Sequence, residues 1–469
     1  MQTKEILEFK RIEYEDCRKY GKYLKGDGVC VCDKTPSCKV MWEGFGASAA
    51  ESDGCLIIKN DSVYFDKAFD FPLSGQNGDV EKAVEKIEDY CAKKDIPLKF
   101  CALTENEVAF LMKRYSFFLC ENNRNYRDYV YLADEMKEFK GKKYAGQRNH
   151  INKFSAEYPN AQFRTLNNAD KPQIFAFLEE WRIRELAEKG KEAKVEFGKD
   201  EKFIKNADLD DYKTGAIVID GRIAAFCLAE VAFDTTIIHI EKALHFYEGV
   251  NVYLVREFAK TCVTTYINRE DDSGASGLRI SKMQYKPLKI ENEYVMTVKT
   301  EAHKISKIPT LQTPRLTLCP IEESDKEEYF RLATDEKLNE FWGYDYKADL
   351  DGELTVDYFY EVAKKDFSKR TAVNFAVKKD GKFIGETVIF EFNYRGECSV
   401  GVRIFAEYAG NGYGEEAFEK TVEFALYELG IKRVLSSCYI KNAPSVKMHE
   451  KTMRLTGKDE EKYYYAREY

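Results

Sequence analysis

The chain has 469 residues, which is too long for one ordinary hydrophobic core, so two or three domains are expected. Hydrophobic residues make up 44% of the sequence, a share typical of globular proteins that argues against disorder. The net charge of -8 argues against general affinity for DNA, because non-specific nucleic-acid binders usually carry net positive charge. We therefore expect a folded multidomain protein without DNA as a partner.

The sequence also indicates the compartment. Residues 1–5 are followed by charged amphipathic sequence and not by the basic-then-apolar pattern of a signal peptide. The most apolar stretch, 215–233, is interrupted by Asp220, Arg222 and Glu230, so no membrane span is expected. The 13 cysteines stand at irregular spacing, which favours reduced thiols over a disulfide framework. These features predict a cytoplasmic protein.

The tightest group of cysteines is Cys30, Cys32 and Cys38. These thiols are of the type that ligates metals, but no histidine stands nearby and no second CxxC pair follows. The spacing therefore predicts no metal.

In the first 298 residues, apolar patterns predict alternating strands and helices, with a soft boundary near 131–143. Strands are predicted at 55–58, 129–132, 214–219, 223–231 and 236–241, and helices at 80–93, 105–115, 144–158, 171–189 and 250–267.

Two clusters of polar residues stand out within these patterns. The first lies in a basic helix start at 141–154, and the second joins a predicted strand to the segment around 268. The candidate site residues are Arg148 and Asn149 in the first cluster, and His239, Glu241, Asn268, Arg269 and Glu270 in the second. One predicted helix separates the two parts of the second cluster, so a single packed site can collect them. Buried ionisable groups must be paired or functional; solvated charges and ion pairs between domains are the simpler alternative.

A polar segment at 299–312, which contains Pro309, predicts a linker. The segment 313–469 then shows a mixed order of elements. Strands are predicted at 316–321, 374–378, 383–392, 398–405, 433–440 and 463–466, and helices at 324–333, 355–367, 412–429 and 444–453. This order predicts an α/β domain with a sheet of mixed direction.

The strongest chemical signal is the loop 409–414, with the sequence AGNGYG, between a predicted strand and a predicted helix. Gly410, Gly412 and Gly414 let successive amide groups converge without obstruction by side chains. The helix that follows adds the partial positive charge of its N-terminus, so the loop is suited to a pyrophosphate.

The segment 313–469 resembles the GNAT acetyltransferases, in the branch that acetylates the N-termini of ribosomal proteins. The resemblance rests on three motifs: Thr313-Pro314-Arg315-Leu316, the glycine loop with Glu416-Ala417, and Asn442-Ala443-Pro444-Ser445 followed by Glu450-Lys451. It implies transfer of an acetyl group from acetyl-CoA to an amine acceptor, either a protein N-terminus or a small molecule. The implied coenzyme-binding residues are Ile404, Ala409, Gly410, Asn411, Gly412, Tyr413 and Gly414. Ala409 replaces the family's Arg or Gln, and Met453-Arg454 replaces its usual Gly-Phe.

The same resemblance implies the catalytic residues. It places Asn442 and Ser445 near the acyl thioester, where a hydroxyl can protonate the departing thiolate; capping of the short helix is the structural alternative for Ser445. The family's frequent glutamate before the strand glycine is Ser399 here, and Glu397 lies two residues further back on the same strand face. We therefore predict Glu397 as the base, with direct deprotonation through water as the alternative.

Residues 8–296 resemble the soluble relatives of the catalytic domain of phosphatidylglycerol lysyltransferase. The matching motifs are RDYVY at 127–131, GKKY and RNHIN within 141–152, and YINRE at 266–270, although Gln147 replaces the family's lysine. The resemblance implies two GNAT-like units in tandem at 1–298, so that the whole chain has three such units. Transfer of an aminoacyl group from tRNA to a soluble acceptor and a non-catalytic binding module remain open for this region.

Overall fold

The computed structural model describes residues 7–62, 66–189, 191–343, 345–350 and 352–469. The chain forms two compact units, the first made of Met1–Phe110 and Leu119–Thr297 and the second of Leu111–Phe118 and Val298–Tyr469. Within the described ranges the strands form three sheets, accompanied by helices, and each sheet contains both parallel and antiparallel pairs. The predicted mixed α/β class is confirmed.

The strands up to residue 298 belong to two of these sheets. They are β1 (Lys10–Arg11), β2 (Ala47–Ser52), β3 (Cys55–Ser62), β4 (Asp66–Asp70), β5 (Leu73–Ser74), β6 (Lys99–Leu103), β7 (Phe118–Asn122), β8 (Asp128–Leu132), β9 (Gln162–Arg164), β10 (Lys213–Ile219), β11 (Arg222–Ala232), β12 (Thr235–Ala243), β13 (Tyr266–Asn268), β14 (Lys289–Glu291) and β15 (Tyr294–Val298). The first sheet has the order β1-β2-β3-β4-β6-β15-β7, with β5 beside β3, and the second has the order β14-β8-β13-β12-β11-β10-β9.

The helices of the same part of the chain are α1 (Tyr14–Tyr20), α2 (Pro36–Met41), α3 (Val80–Lys94), α4 (Glu105–Arg114), α5 (Ala133–Glu138), α6 (Ala145–Glu157), α7 (Lys171–Lys189), α8 (Lys191–Asn206), α9 (Val250–Thr261) and α10 (Ser276–Gln284).

The remaining elements form the third sheet and its helices. The strands are β16 (Leu311–Gln312), β17 (Thr317–Pro320), β18 (Val373–Lys379), β19 (Lys382–Phe390), β20 (Glu397–Ile404), β21 (Arg433–Tyr439), β22 (Arg454–Lys458) and β23 (Lys462–Glu468). The helices are α11 (Lys326–Thr334), α12 (Tyr346–Asp349), α13 (Tyr358–Lys369), α14 (Tyr413–Glu423) and α15 (Ala443–Thr452). The sheet order is β16-β17-β18-β19-β20-β21-β23-β22.

One arrangement recurs in all three sheets. A parallel pair of strands is connected through a helix: β4 and β6 through α3, β12 and β13 through α9, and β20 and β21 through α14. Parallel neighbours require such a crossover, whereas antiparallel neighbours need only a short turn. The parallel pair is therefore the common feature of the three sheets.

The sequence of α14 explains how this helix packs. Its buried residues are Ala417, Phe418, Thr421 and Val422, which recur at helical spacing and form one face. Ala417, Phe418 and Val422 join a core that also includes Val400 and Val434 from the strands on either side of the crossover. This packing holds the N-terminus of α14 beside the end of β20.

One predicted helix ends earlier than expected. The sequence predicts a helix at 250–267, but α9 ends at Thr261 and Tyr266–Asn268 is the strand β13. Cys262 has extended backbone angles, and the β-branched residues Val263, Thr264 and Thr265 that follow are weak helix formers. Pairing of β13 with both β12 and β8 then favours the strand.

Candidate functional site

The third sheet opens between β20 and β21. These strands pair in parallel over three positions, from Glu397↔Arg433 to Ser399↔Leu435. One further bond joins them, from Ser436 Oγ to Val400 O at 2.9 Å. No ladder pair between these strands continues past this point in the described part of the chain, and residues 401–404 are all half-buried. The strand edge at 401–404 is thus available to an extended ligand.

The glycine loop lies at this opening. Residues 409–412 are exposed, and Gly410 and Gly412 both have φ of +77°, the left-handed conformation that favours glycine. Among the described residues, no acceptor bonds the backbone amides of 410–414. These free amides and the start of α14 form a site suited to an anion.

Two of the sequence motifs meet behind this loop. Glu416 accepts hydrogen bonds from Thr313 Oγ1 at 2.6 Å, Arg315 N at 2.9 Å and Arg315 Nε at 2.6 Å. Burial alone would raise the pKa of Glu416, but these bonds outweigh burial and lower it. Arg315 Nη1 also donates to Asn411 O at 2.9 Å. The Arg315 guanidinium therefore holds the loop in place. Arg315 belongs to the motif at 313–316, but this role was not predicted from the sequence.

Asn442 and Ser445 begin α15. Asn442 is the N-cap, and its side chain accepts a bond from Ser445 N at 3.3 Å. The half-buried Ser445 Oγ lies 3.3 Å from His449 Nδ1, which also lies 2.7 Å from Ser445 O. Burial lowers the pKa of His449, so the neutral imidazole is favoured. His449 was not among the predicted site residues, although its spacing of four residues from Ser445 places both on one helix face.

Glu397 is at the paired end of β20. Its carboxylate accepts from Asn393 Nδ2 at 2.9 Å and lies 3.4 Å from Arg433 Nη1. Ile404, at the loop end of the strand, lies seven positions further along the chain, which corresponds to about 23 Å of extended chain. Its role as the base stays a prediction.

A buried carboxylate that the sequence analysis missed is Glu386, on β19. It is 1% exposed and accepts from Tyr329 Oη at 2.6 Å, Asn374 Nδ2 at 2.8 Å and Arg403 Nε at 2.9 Å. Burial and the proximity of Glu386 raise the pKa of Tyr329. The available signal was one glutamate within the largely apolar run 383–390, because such a residue requires partners when it is buried.

In the first unit, β12 and β13 also part after three parallel pairs, the last being Ile237↔Asn268. His239 lies just beyond and is held between two carboxylates, with Nε2 2.6 Å from Glu230 Oε1 and Nδ1 2.7 Å from Glu270 Oε1. Burial opposes the charge on His239, but the two carboxylates outweigh burial and raise its pKa to about 9. The imidazolium form is therefore favoured at neutral pH.

The other members of the second cluster lie at the same opening. Arg269 donates to Glu241 through Nε at 3.0 Å and Nη2 at 2.6 Å. Asn268 Nδ2 donates to Asp128 Oδ2 at 2.6 Å, and so ties β13 to β8. The structure thus brings together all five candidate residues of this cluster, and their functional role stays a prediction.

Lys282, on α10, is an additional member of this cluster. Its ammonium group donates to Arg269 O at 2.6 Å, to Glu270 O at 3.2 Å and to Asp271 O. Burial lowers the pKa of Lys282. Lys282 is contributed by a helix that follows β13, so its contact with this turn depends on the tertiary fold.

Arg148 and Asn149 lie elsewhere, on α6. Arg148 Nη1 donates to Gly141 O at 2.7 Å and also to Phe139 O, and so holds the connection before the helix. Asn149 is exposed. In the ranges that the structure describes, neither side chain makes a hydrogen bond or ion pair with the cluster around His239. Their functional role also stays a prediction.

The connection before α9 differs from the glycine loop. Gly249 is the only glycine in the sequence from 244 to 249, and a Cβ added there would lie 2.7 Å from His150 O. This turn therefore packs closely against α6, whereas a Cβ at Gly410 would meet no atom within 4 Å. The opening between β12 and β13 is therefore next to a tightly packed turn, whereas the opening between β20 and β21 is next to an exposed loop.

None of the described helices combines the length and the apolar character needed to cross a membrane.

Comparisons with known proteins identify two different kinds of domain in the chain. Residues 31–297 match the family described as phosphatidylglycerol lysyltransferase, C-terminal, and residues 315–452 match the acetyltransferase (GNAT) domain. A conserved protein of unknown function from Bacteroides thetaiotaomicron VPI-5482 is 24% identical, with 63% of this chain and 100% of that chain covered at a TM-score of 0.55. A GNAT-family acetyltransferase from Bacillus anthracis is 21% identical, with 34% of this chain and 98% of that chain covered at a TM-score of 0.30. No curated protein matches the chain.

The two family matches agree with the motifs found in the sequence. The motifs at 127–131, 141–152 and 266–270 all lie within the first match, which covers more than half of the 469 residues. The glycine loop and the start of α15 lie within the second, so the second unit carries an acyltransferase domain of the GNAT type. The chain therefore belongs to the family of the phosphatidylglycerol lysyltransferase C-terminal domain, to which it joins a GNAT acetyltransferase domain.

Proposed function

We propose that the second unit transfers an acetyl group from acetyl-CoA to an amine, on a protein N-terminus or a small molecule. The observation that carries this proposal is the parallel pair β20 and β21, which separates after three positions beside a loop with free amides. The amides of 410–414 would bind the pyrophosphate, and the free edge at 401–404 would bind the amide groups of the pantetheine arm. Arg315 would hold the loop in the binding conformation through Asn411 and Glu416.

The reaction needs an uncharged amine and a proton for the departing thiolate. When the amine nitrogen bonds to the acetyl carbon, the carbon–sulfur bond breaks and the thiolate leaves. In our proposal the Ser445 hydroxyl donates that proton. Glu397 or water would accept the proton that the amine loses.

The test uses the full chain with Gly412 replaced by Asp or by Asn. Both side chains tolerate the left-handed conformation of Gly412 better than most and are nearly equal in size. Only Asp adds a negative charge at the site of the pyrophosphate. We expect calorimetry to show one equivalent of acetyl-CoA bound to the unmodified protein. We also expect affinity at least about 10-fold weaker for Gly412→Asp than for Gly412→Asn, or about 1.4 kcal/mol.

Thermal melting of both variants provides the control for folding. Equal affinity of the Asp and Asn variants, with both folded, would refute the assignment of the loop. Two equivalents of acetyl-CoA on the unmodified chain would show that an opening in the first unit also binds the coenzyme.

A second candidate function concerns the first unit. The family match and the cluster around His239 favour aminoacyl transfer from tRNA to a soluble acceptor, with a non-catalytic binding module as the alternative. We expect a transferase to pass a labelled amino acid from aminoacyl-tRNA to an amine acceptor, and to lose this activity in Arg269→Ala. Gly412→Asp should retain it. A lack of transfer by the unmodified protein favours the binding module.

A further inference from the structure

Two thiols and several carboxylates from distant parts of the sequence converge in the first unit. Cys32, Asp33 and Cys38 each direct one ligand-type atom into a group whose members all lie within 4.8 Å of one another. A second group of the same kind shares Cys32 and adds Asp128 and Glu293. Both thiols are buried, with Cys32 3% and Cys38 1% exposed.

The separations within the first group are those of ligands around a single ion. Asp33 Oδ1 lies 3.4 Å from Cys38 Sγ and 3.7 Å from Cys32 Sγ. With bonds of about 2.3 Å to sulfur and 2.0 Å to oxygen, a tetrahedral zinc ion separates such a sulfur and oxygen by about 3.5 Å. The two observed distances lie on either side of this value.

Local structure fixes the positions of the two thiols. Thr35 is the N-cap of α2, and its hydroxyl accepts a bond from Cys38 N at 3.2 Å. The same hydroxyl donates to Cys32 O at 3.1 Å. Pro36 at the first turn adds a backbone angle suited to a helix start. Thr35 therefore connects the backbone of both cysteines, so the arrangement does not depend on an ion to form.

Two hydrogen bonds to one oxygen orient the carboxylate of Asp128. Its Oδ2 accepts from Cys32 N at 2.7 Å and from Asn268 Nδ2 at 2.6 Å, which leaves Oδ1 3.3 Å from Cys32 Sγ. Groups around metal ligands are commonly oriented in this way by a second layer of hydrogen bonds. Asn268 thus links this group of residues to the cluster around His239.

Among the described residues, the hydrogen-bond donors on the Asp33 carboxylate are the thiols of Cys32 and Cys38. Thiols are weak hydrogen-bond donors, and buried carboxylates require strong partners. The ammonium group of Lys39, the residue after Cys38, interacts with Asp33 electrostatically, but its hydrogen bond goes to Asp70 Oδ1 at 3.1 Å. A divalent ion among the thiols and Asp33 would place a positive charge in direct contact with this carboxylate.

We propose that the first unit binds a zinc ion through Cys32, Cys38 and Asp33, with a water molecule in the fourth position on the side of Asp128 and Glu293. Two thiolates select zinc over magnesium or calcium, which prefer oxygen ligands only. The two carboxylates would accept the hydrogen bonds of that water. The expectation of no metal rested on the lack of a nearby histidine and of a second CxxC pair, whereas the proposed site uses Asp33 as its third protein ligand.

The experiment measures the metal content of the full chain, purified under reducing conditions without a chelator and then dialysed against zinc. We expect about one equivalent of zinc by mass spectrometry, as for a single site. Cys38→Ala and Asp33→Asn should each lose most of it. Cys30→Ala is the matched control, because this thiol is also buried but lies 3.4 Å from Val31 O and is in neither group. The control should retain the zinc.

Cobalt substitution gives a second measurement that is independent of activity. Cobalt in the site should give a sulfur-to-cobalt absorption band that weakens in Cys38→Ala. Melting curves show whether Cys38→Ala folds. If it does not, the zinc content of Asp33→Asn and the cobalt band of the unmodified protein test the proposal. Less than about a tenth of an equivalent of zinc after dialysis, with no cobalt band, overturns the proposal. A Cys32–Cys38 disulfide in the reduced preparation, or equal zinc loss in Cys30→Ala, also overturns it.

Discussion

His239 is a buried histidine whose charge depends on its two carboxylate neighbours. The side chain is 0% exposed and lies between Glu230 and Glu270, so its charge is stabilised by two carboxylates and by no bulk water. The same interaction acts on Glu270, where burial alone would raise the pKa but His239 outweighs burial and lowers it. Removing the proton from His239 would leave two half-buried carboxylates without the positive charge between them.

The first prediction concerns the pH dependence of stability. The pKa of His239 is raised from 6.5 to about 9 in the folded protein. The stabilisation is therefore fully present below about pH 6.5 and is lost as the pH rises through about 9. The difference of about 2.5 pKa units, at about 1.4 kcal/mol each, corresponds to roughly 3 to 4 kcal/mol.

Urea unfolding of the full chain from about pH 6 to about pH 9.5 measures this effect. In His239→Gln the decline with pH should be smaller by about that amount, because glutamine does not titrate. His245→Gln is the control, since His245 is an exposed histidine in the same unit. Equal slopes for His239→Gln and the unmodified protein would contradict the assignment of the charge.

Ser445 allows a second test at the scale of one residue. If its hydroxyl protonates the thiolate, Ser445→Ala should reduce kcat by about 10²-fold with little change in the affinity for acetyl-CoA. The bond from Ser445 to the Asn442 cap uses the backbone amide, so the substitution leaves it intact. A loss of acetyl-CoA affinity at unchanged kcat would assign Ser445 to binding.

At the scale of secondary-structure elements, substitutions at the start of α15 can distinguish a structural role of Asn442 from a catalytic one. Asn442 was a candidate catalytic residue, and the structure makes it the N-cap. Loss of an N-cap side chain typically costs about 1 kcal/mol, whereas Asp caps a helix as well as Asn does. We expect Asn442→Ala to lower the stability by about that amount, and Asn442→Asp to retain both stability and turnover. Thermal melting and acetyl transfer on the same samples provide the measurement, and a large loss of kcat in the stable Asp variant would indicate a catalytic role.

The same arrangement, a parallel strand pair joined through a helix, has different neighbouring residues in the two units. In the second unit the connection into α14 has three glycines and free amides. In the first unit the connection into α9 packs against α6, and a charged network lies between β12 and β13. The geometry of the strand pair alone therefore does not specify a ligand.

For the whole molecule, the sequence determined what depends on neighbours along the chain. The glycine loop, its position between a strand and a helix, the α/β class and the two family resemblances were all predicted, because they rest on local spacing and on contiguous motifs. The helix at 250–267 was wrong at its end, because strand pairing with β8 and β12 outweighed the apolar pattern. Sequence patterns do not reveal such pairing partners.

The tertiary structure alone decided which distant side chains meet. Asp128 is 96 residues from Cys32 and Glu416 is 101 residues from Arg315, yet each pair is joined by hydrogen bonds. Glu386 and Tyr329 are likewise brought together across 57 residues. Hydrogen bonds act over a few ångströms in space and have no fixed separation in sequence, so the bracing of the loop and the grouping of thiols with carboxylates follow only from how the sheets place their strands.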